Sequence, residues 1–177
     1  MKKSLLFGII FVLVAGGIAY SWINYTPIEQ VAVTTDYKNT SYEIEGVPLL
    51  LVDGVSELEM ASGSASKITT RYFGNEVNGD FNNDSVEDVA FLLTQDRGGT
   101  GTFYYVVAAL KTELGYTGTN GIFLGDRIAP QTTEYKNGEV IVNYADRKLG
   151  EAMTEKPTVG ISKYLKIENE KLVEVLK

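Results

Sequence analysis

Asn137-Gly138, set between "TTEYK" and "EVIVNYA", narrows the choice of folds more than any other feature of the chain. An Asn-Gly pair supplies two successive residues able to take positive φ, and a two-residue turn of that kind matches the right-handed twist of the strands it joins. The spacing predicts a hairpin with Lys136 opposite Glu139 and Tyr135 opposite Val140. Strand alternation then puts Val140, Val142 and Tyr144 on one face and Glu139, Ile141 and Asn143 on the other.

The same punctuation recurs along the chain. "VPLLLVDGVSELEM" predicts a hairpin turning at Asp53-Gly54, and "ISKYLKIENEKLVEVL" predicts one near Asn169. "TFYYVVAAL" and "NGIFLGDRI" are β-branched and aromatic runs, separated by a Gly-rich turn around Gly115 to Gly121. The apolar runs Val89 to Leu93 and Phe103 to Leu110 lack strict alternation, which marks central strands covered on both faces. There is no tandem repeat; the Asp-Arg pairs at 96/97, 126/127 and 146/147 recur at unequal spacing, as expected of strand ends rather than duplication. With no long stretch of helical period past the N-terminal segment, the expected fold is mainly β: an antiparallel sandwich or open barrel of about eight to ten strands, preceded by one N-terminal transmembrane helix.

Composition removes whole classes of chemistry. The 177 residues include no Cys and no His. That excludes disulfides, thiol nucleophiles, zinc-thiolate sites, Ser-His-Asp machinery and the usual near-neutral general base. Catalysis in such a chain rests on carboxylates, Lys, Tyr or a hard metal. Setting aside Lys2, Lys3 and Glu29 leaves 14 basic and 22 acidic residues from Asp36 onward, a net charge of about −8. A body of that sign repels nucleic acid and attracts divalent cations and basic surfaces, so no nucleic-acid partner is expected.

The segment Met1 to Trp22, "MKKSLLFGIIFVLVAGGIAYSW", has Lys2 and Lys3 ahead of an uncharged apolar run from Leu5 to Trp22. The run is close to the shortest helix able to cross the hydrocarbon. The basic pair belongs on the cytoplasmic side, and Tyr20, Trp22 and Tyr25 suit the far interface. Residues 1–22 therefore read as a membrane anchor, or as a cleaved signal peptide with Gly17 and Ala19 at peptidase spacing. Either reading exports the domain: single-pass at the cell membrane with a cytoplasmic N-terminus, or secreted. Residues 23–40 read as a linker and 41–177 as the extracytoplasmic β domain.

Within that domain "GDFNNDSVEDVAFLL" crowds Asp80, Asp84, Glu87 and Asp88 into one short loop. By offset, Asp80 stands at position 1, Asn82 at 3, Asp84 at 5, the carbonyl of Val86 at 7 and Asp88 at 9. Oxygen donors on alternate residues of a tight loop converge on one point, as a hard cation such as Ca²⁺ requires. Without a cation, two unit charges about 4 Å apart at an effective dielectric of about 20 repel by roughly 4 kcal/mol. The alternative is a metal-free, Asx-rich turn. An EF-hand is ruled out by Ser85 at position 6, Phe91 at position 12 and the strand-like "VAFLL" that follows. The stretch resembles the calcium loops of FG-GAP (integrin propeller-type) repeats and, less closely, of dockerins. That resemblance implies Asp80, Asn82, Asp84, Val86 and Asp88 as Ca²⁺ ligands and a loop running into a strand, not a propeller.

"DRGGTGTFYY" lacks the ending of a P-loop and reads as a hairpin connection, with a backbone anion nest as the alternative. Asp126 and Arg127 in "GIFLGDRIAP" read as neighbours facing opposite ways, each seeking its own partner. From Gly46 to Lys166 the arrangement is similar to a group of uncharacterised exported bacterial domains, although the Cys pair many of them carry before a late Pro is missing from "GEAMTEKPTV". Two functions follow as expectations. One is a non-catalytic, Ca²⁺-ordered binding module at the cell envelope, contacting an envelope protein or polysaccharide. The other is a carboxylate-dependent or metal-assisted hydrolase of envelope polysaccharide using Asp126, Glu134 or Asp146.

Overall fold

The computed structural model describes residues 36–61, 63 and 66–177, and the segments read as anchor and most of the linker lie outside them. Among the described residues no helix is long and apolar enough to cross a membrane. A 3₁₀ turn, Tyr37–Asn39, precedes twelve strands: β1 (Ser41–Ile44), β2 (Val47–Leu50), β3 (Val55–Glu59), β4 (Lys67–Gly79), β5 (Asp88–Asp96), β6 (Phe103–Thr112), β7 (Gly115–Gly118), β8 (Ile122–Asp126), β9 (Ala129–Lys136), β10 (Glu139–Asp146), β11 (Val159–Glu168) and β12 (Lys171–Val175). All ladders are antiparallel.

The strands form three sheets: a pair β1-β2, a four-stranded sheet β12-β11-β10-β9, and a six-stranded sheet β3-β4-β5-β6-β7 in which β8 also pairs with β6. The described residues are thus mainly β, as the punctuation predicts, in three antiparallel sheets that form no closed barrel, with twelve strands instead of about eight to ten. The surplus is in four-residue strands. β7 occupies the segment read as a Gly-rich turn, and β1 and β2 meet at Glu45-Gly46, a turn without the usual Asn-Gly or Asp-Gly letters.

Four two-residue turns share the left-handed backbone of type I′: Glu45-Gly46 (φ 53° and 80°), Asp53-Gly54 (50° and 80°), Asn137-Gly138 (55° and 78°) and Asn169-Glu170 (50° and 61°). The β9-β10 hairpin has the expected register, Lys136 opposite Glu139 and Tyr135 opposite Val140. The β11-β12 hairpin turns at Asn169 as read. The Asp53-Gly54 expectation needs correction. The turn forms, but β2 and β3 pair only through the bridge Val52–Val55, after which β2 pairs with β1 and β3 with β4.

β5 and β6 lie at the centre, covered on both faces. On one side Ala90, Leu92, Val106 and Ala108 pack with Val140, Val142, Tyr144, Leu165 and Leu172 of the four-stranded sheet. On the other, Val89, Phe91, Leu93, Tyr105 and Val107 pack with Tyr42, Ile44, Leu49 and Leu51 around the β1-β2 pair. This is why both runs lack polar alternation: neither face meets water. Residues 36–40, at the end of the segment read as a linker, join the second cluster. The Tyr37 ring sits 5.3 Å from that of Phe91 and edge-on at 5.7 Å to that of Tyr116, and Thr40 is buried.

Candidate metal centre in the acidic loop

The loop 80–87 joins β4 to β5, between Gly79 and Asp88, which are opposite one another in the ladder. It is fastened from below. The Tyr135 hydroxyl of β9 donates to the Asp80 carbonyl, and the Phe81 ring is buried 5.0 Å from the Tyr135 ring. Gly79 is required by that approach, since a Cβ there would lie 2.4 Å from Cδ1 of Tyr135. Asn83 and Ser85 take left-handed φ of 63° and 68°. Ser85 is at the sixth loop position, where hard-cation loops of the EF-hand type use Gly for a sharp turn.

Asp80, Asn82 and Asp84 are brought together. The amide N–H of Asp84 donates to Asp80 Oδ1 (3.0 Å) and Asn82 Oδ1 (3.2 Å), and the Asn82 Nδ2 donates to Asp84 Oδ2 (2.9 Å). Ser85 N–H donates to Asp80 Oδ2 (2.9 Å), and Val86 N–H to Asp84 Oδ1 (2.7 Å). Asp88 is held apart from this group. Only 1% exposed, it accepts from Phe81 N–H (3.0 Å) and from Lys111 N–H (2.8 Å), which fixes the loop to the last part of β6. Burial pushes the Asp88 carboxyl above its ordinary value; the two backbone donors oppose this, and the charges of Asp84 and Asp80 add to it.

Among the described residues no group of three or more acidic side chains converges as a metal cage. The donor set is all hard oxygen, which fits the chemistry of Ca²⁺. Each carboxylate oxygen of Asp80 and Asp84 accepts a single bond and so keeps acceptor capacity for an ion. Asp88 also accepts one bond at each oxygen, but it differs in being buried and held by amides of the loop and of β6. As drawn by its hydrogen bonds, the loop is a self-closed Asx turn carrying excess negative charge: no ion pair among the described residues reaches Asp80, Asp84 or Asp88.

The Asp-Arg pairs lie at strand ends: Asp96 and Asp126 at the end of the six-stranded sheet away from the acidic loop, and Asp146 on the four-stranded sheet. Asp96, Asp126 and Asp146 are the last residues of β5, β8 and β10, as the strand-end reading expects. Their carboxylates accept from Gly98, Thr102 and Arg147 N–H, respectively. Asp126 and Arg127 do pair with each other, at 3.0 Å, contrary to the alternation argument. Arg127 has already left the strand with φ 49°, which swings its side chain back. Glu134 accepts from Thr132 Oγ1 and Asn143 Nδ2. The segment 97–102 is the connection between β5 and β6, as read.

Two polar clusters escaped the sequence reading because their members are far apart in the chain. Arg97 Nη2 donates to Glu45 Oε2 (2.8 Å) and to the Tyr105 hydroxyl (2.7 Å), and its Nε to Gln95 Oε1 (2.7 Å). The Tyr105 hydroxyl, with Arg97 behind it, holds the Glu45 carboxyl below its usual range. Tyr37 and Tyr72 both donate to Glu76, with the Lys38 ammonium 4.0 Å over the Tyr72 ring. Compared with known proteins, the chain matches no family model, no curated protein and no solved structure.

Proposed function

We propose that the chain is a membrane-tethered, extracytoplasmic binding domain without catalysis, whose acidic loop takes up Ca²⁺. The observation that carries the metal assignment is the uncompensated charge of the loop: Asp80, Asp84 and Asp88 lie within nine residues, and no cationic side chain among the described residues pairs with them. The repulsion is felt at Asp88, whose carboxyl is raised by burial and, in part, by Asp84 and Asp80. The likeness to FG-GAP-type loops and the left-handed backbone at Ser85 support the same reading. Asp80, Asn82, Asp84, the Val86 carbonyl and Asp88 would hold the ion, which supplies charge neutralisation and loop order.

The absence of His and Cys, with Asp126 and Asp146 engaged in strand-end contacts, favours binding over hydrolysis. The apolar run of residues 1–22 supports attachment to the membrane, and the partners are an envelope protein or polysaccharide. Extracellular modules bind Ca²⁺ with Kd of roughly 0.1 to 1 mM, so about 1 mM ion stabilises the fold by about 0.4 to 1.4 kcal/mol. Melting curves of the full chain in Ca²⁺, Mg²⁺ and chelator test this. Ca²⁺ is expected to raise Tm by about 1 to 5 °C, and Asp84→Ala to abolish the rise. A Tm indifferent to Ca²⁺ would overturn the metal assignment.

A further inference from the structure

Tyr37 sits among three other rings. Centre to centre it lies 6.4 Å from Tyr72, 5.3 Å from Phe91 and 5.7 Å from Tyr116. Its backbone is held as well: the Tyr37 carbonyl accepts from the Tyr42 hydroxyl at 2.7 Å, and the Lys38 carbonyl from Gly54 N–H at 2.8 Å. Tyr72 comes from β4. Register shifts on either side of Gly74, with left-handed φ at Gly74 (107°) and Asn75 (59°), bend that strand just ahead of Glu76.

The two phenols end on one atom. Tyr37 donates to Glu76 Oε1 at 2.5 Å, and Tyr72 donates to the same oxygen. A shared acceptor draws the two hydroxyls together, and with them the ring carbons beside each hydroxyl. Tyr116 instead meets Tyr37 edge-on, at 84°. Desolvation raises the Glu76 carboxyl, but the two hydroxyls and Lys38 outweigh it and hold the group below its usual range, ionised at neutral pH. An ionised carboxylate in hydrogen-bond contact with a phenol is a base for its proton, and a phenol gives up an electron more readily when that proton leaves with it. The Lys38 ammonium, 4.0 Å from the Tyr72 ring and 5.4 Å from the Tyr37 ring, disfavours a ring left positively charged. The neutral route through Glu76 is therefore the one this site permits. Both rings are partly open to solvent, and Glu76 is exposed and can pass each proton to water.

We propose that Tyr37 and Tyr72 form an oxidative cross-linking site, joined as dityrosine by a peroxide-driven one-electron oxidant. Each ring loses one electron to the oxidant and its hydroxyl proton to Glu76. The two neutral phenoxyl radicals form a carbon-carbon bond between positions ortho to the hydroxyls, and the hydrogens on those carbons move to the two oxygens as the rings regain aromaticity. Two electrons and two protons leave in all, and reduce the peroxide. The chain has no Cys, so the cross-link supplies the covalent staple that a disulfide cannot. It closes the loop from residue 37 to residue 72 and ties the segment before β1 to β4.

The test is oxidation of the dilute full chain with tris(bipyridine)ruthenium, light and persulfate. The expected result is blue dityrosine fluorescence from a monomer lighter by two hydrogens, with peptide mapping that joins Tyr37 to Tyr72. Tyr37→Phe and Tyr72→Phe keep each ring and remove only the hydroxyl; either should abolish that product, and Tyr116→Phe should leave it unchanged. Glu76→Gln keeps an acceptor but loses the base, and should slow formation about tenfold or more. Mapping of the wild-type chain decides by itself if a variant does not fold. The proposal is overturned if the monomer forms no dityrosine, if the link maps to another pair, or if its yield rises with protein concentration, which would make it a bond between copies. A Glu76→Gln chain that cross-links as fast as wild type would also overturn it.

Discussion

Asp88 is where burial and charge conflict most directly. Its carboxyl is raised by desolvation, so the folded chain holds the proton more tightly than the unfolded chain does. The ionised form therefore costs stability above the folded pKa, and that cost disappears as pH falls through it towards the ordinary carboxylate value. In chelator, Asp88→Asn should remove this part of the pH dependence of unfolding, read as the wild-type minus variant difference in Tm between neutral and mildly acidic pH. Asp88→Ala leaves the N–H groups of Phe81 and Lys111 without their acceptor and should cost about 2 kcal/mol or more by denaturant unfolding. A variant as stable as wild type would contradict the assigned role. Tyr72 has a pH signature of the same sign, in the alkaline range. Burial and the hydrogen bond to Glu76 push its hydroxyl up to about 12. Stability held below the ordinary tyrosine pKa is lost as pH rises through the folded value, and Tyr72→Phe should blunt that alkaline loss. The sequence names the residues of the acidic loop but not their partners: the amide of Lys111 and the hydroxyl of Tyr135 reach the loop from other strands. Asp126-Arg127 was misread for a local reason, because alternation holds only while φ stays extended, and Arg127 turns left-handed.

At the scale of elements, the turns carry the specification. Asn137-Gly138 is legible because both residues favour positive φ, whereas Glu45-Gly46 and Asn169-Glu170 reach the same geometry with a Glu in the left-handed region. A non-Gly residue held there is strained by about 1 kcal/mol or more. Glu170 is exposed, with φ 61°, and its side chain forms no hydrogen bond or ion pair among the described residues. Glu170→Gly should therefore raise Tm by about 2 to 4 °C. No rise would mean that the turn is not under strain. The β2-β3 error has an instructive cause. Asp53-Gly54 dictates the turn, but the pairing that follows is decided by tertiary burial. Leu49 and Leu51 pack under the hairpin with Tyr42 and Ile44, while β3 follows β4 into the larger sheet.

The described residues are organised around β5 and β6, whose continuous apolar runs fill both of their cores at once. Leu92→Ala should cost about 2 to 5 kcal/mol, since its side chain is fully buried, whereas Leu50→Ala, at 53% exposure, should change stability by less than about 0.5 kcal/mol. Equal effects from the two, measured by denaturant unfolding, would contradict the layered arrangement. The mainly-β class and the two-sided central strands were legible because missing alternation reports directly on burial. Strand order and the split into three sheets were not, because short strands such as β1, β2 and β7 carry too few residues for a periodic signal. The same architecture sets the acidic loop at one end of the six-stranded sheet and Asp96 and Asp126 at the other, so an ion at the loop can be examined without disturbing the remainder. The most direct measurement is a crystal structure of the full chain grown in millimolar Ca²⁺. The account predicts a bound ion coordinated by Asp80, Asn82, Asp84, the Val86 carbonyl and Asp88; a loop that keeps its present hydrogen bonds, with no ion among those oxygens, would contradict it.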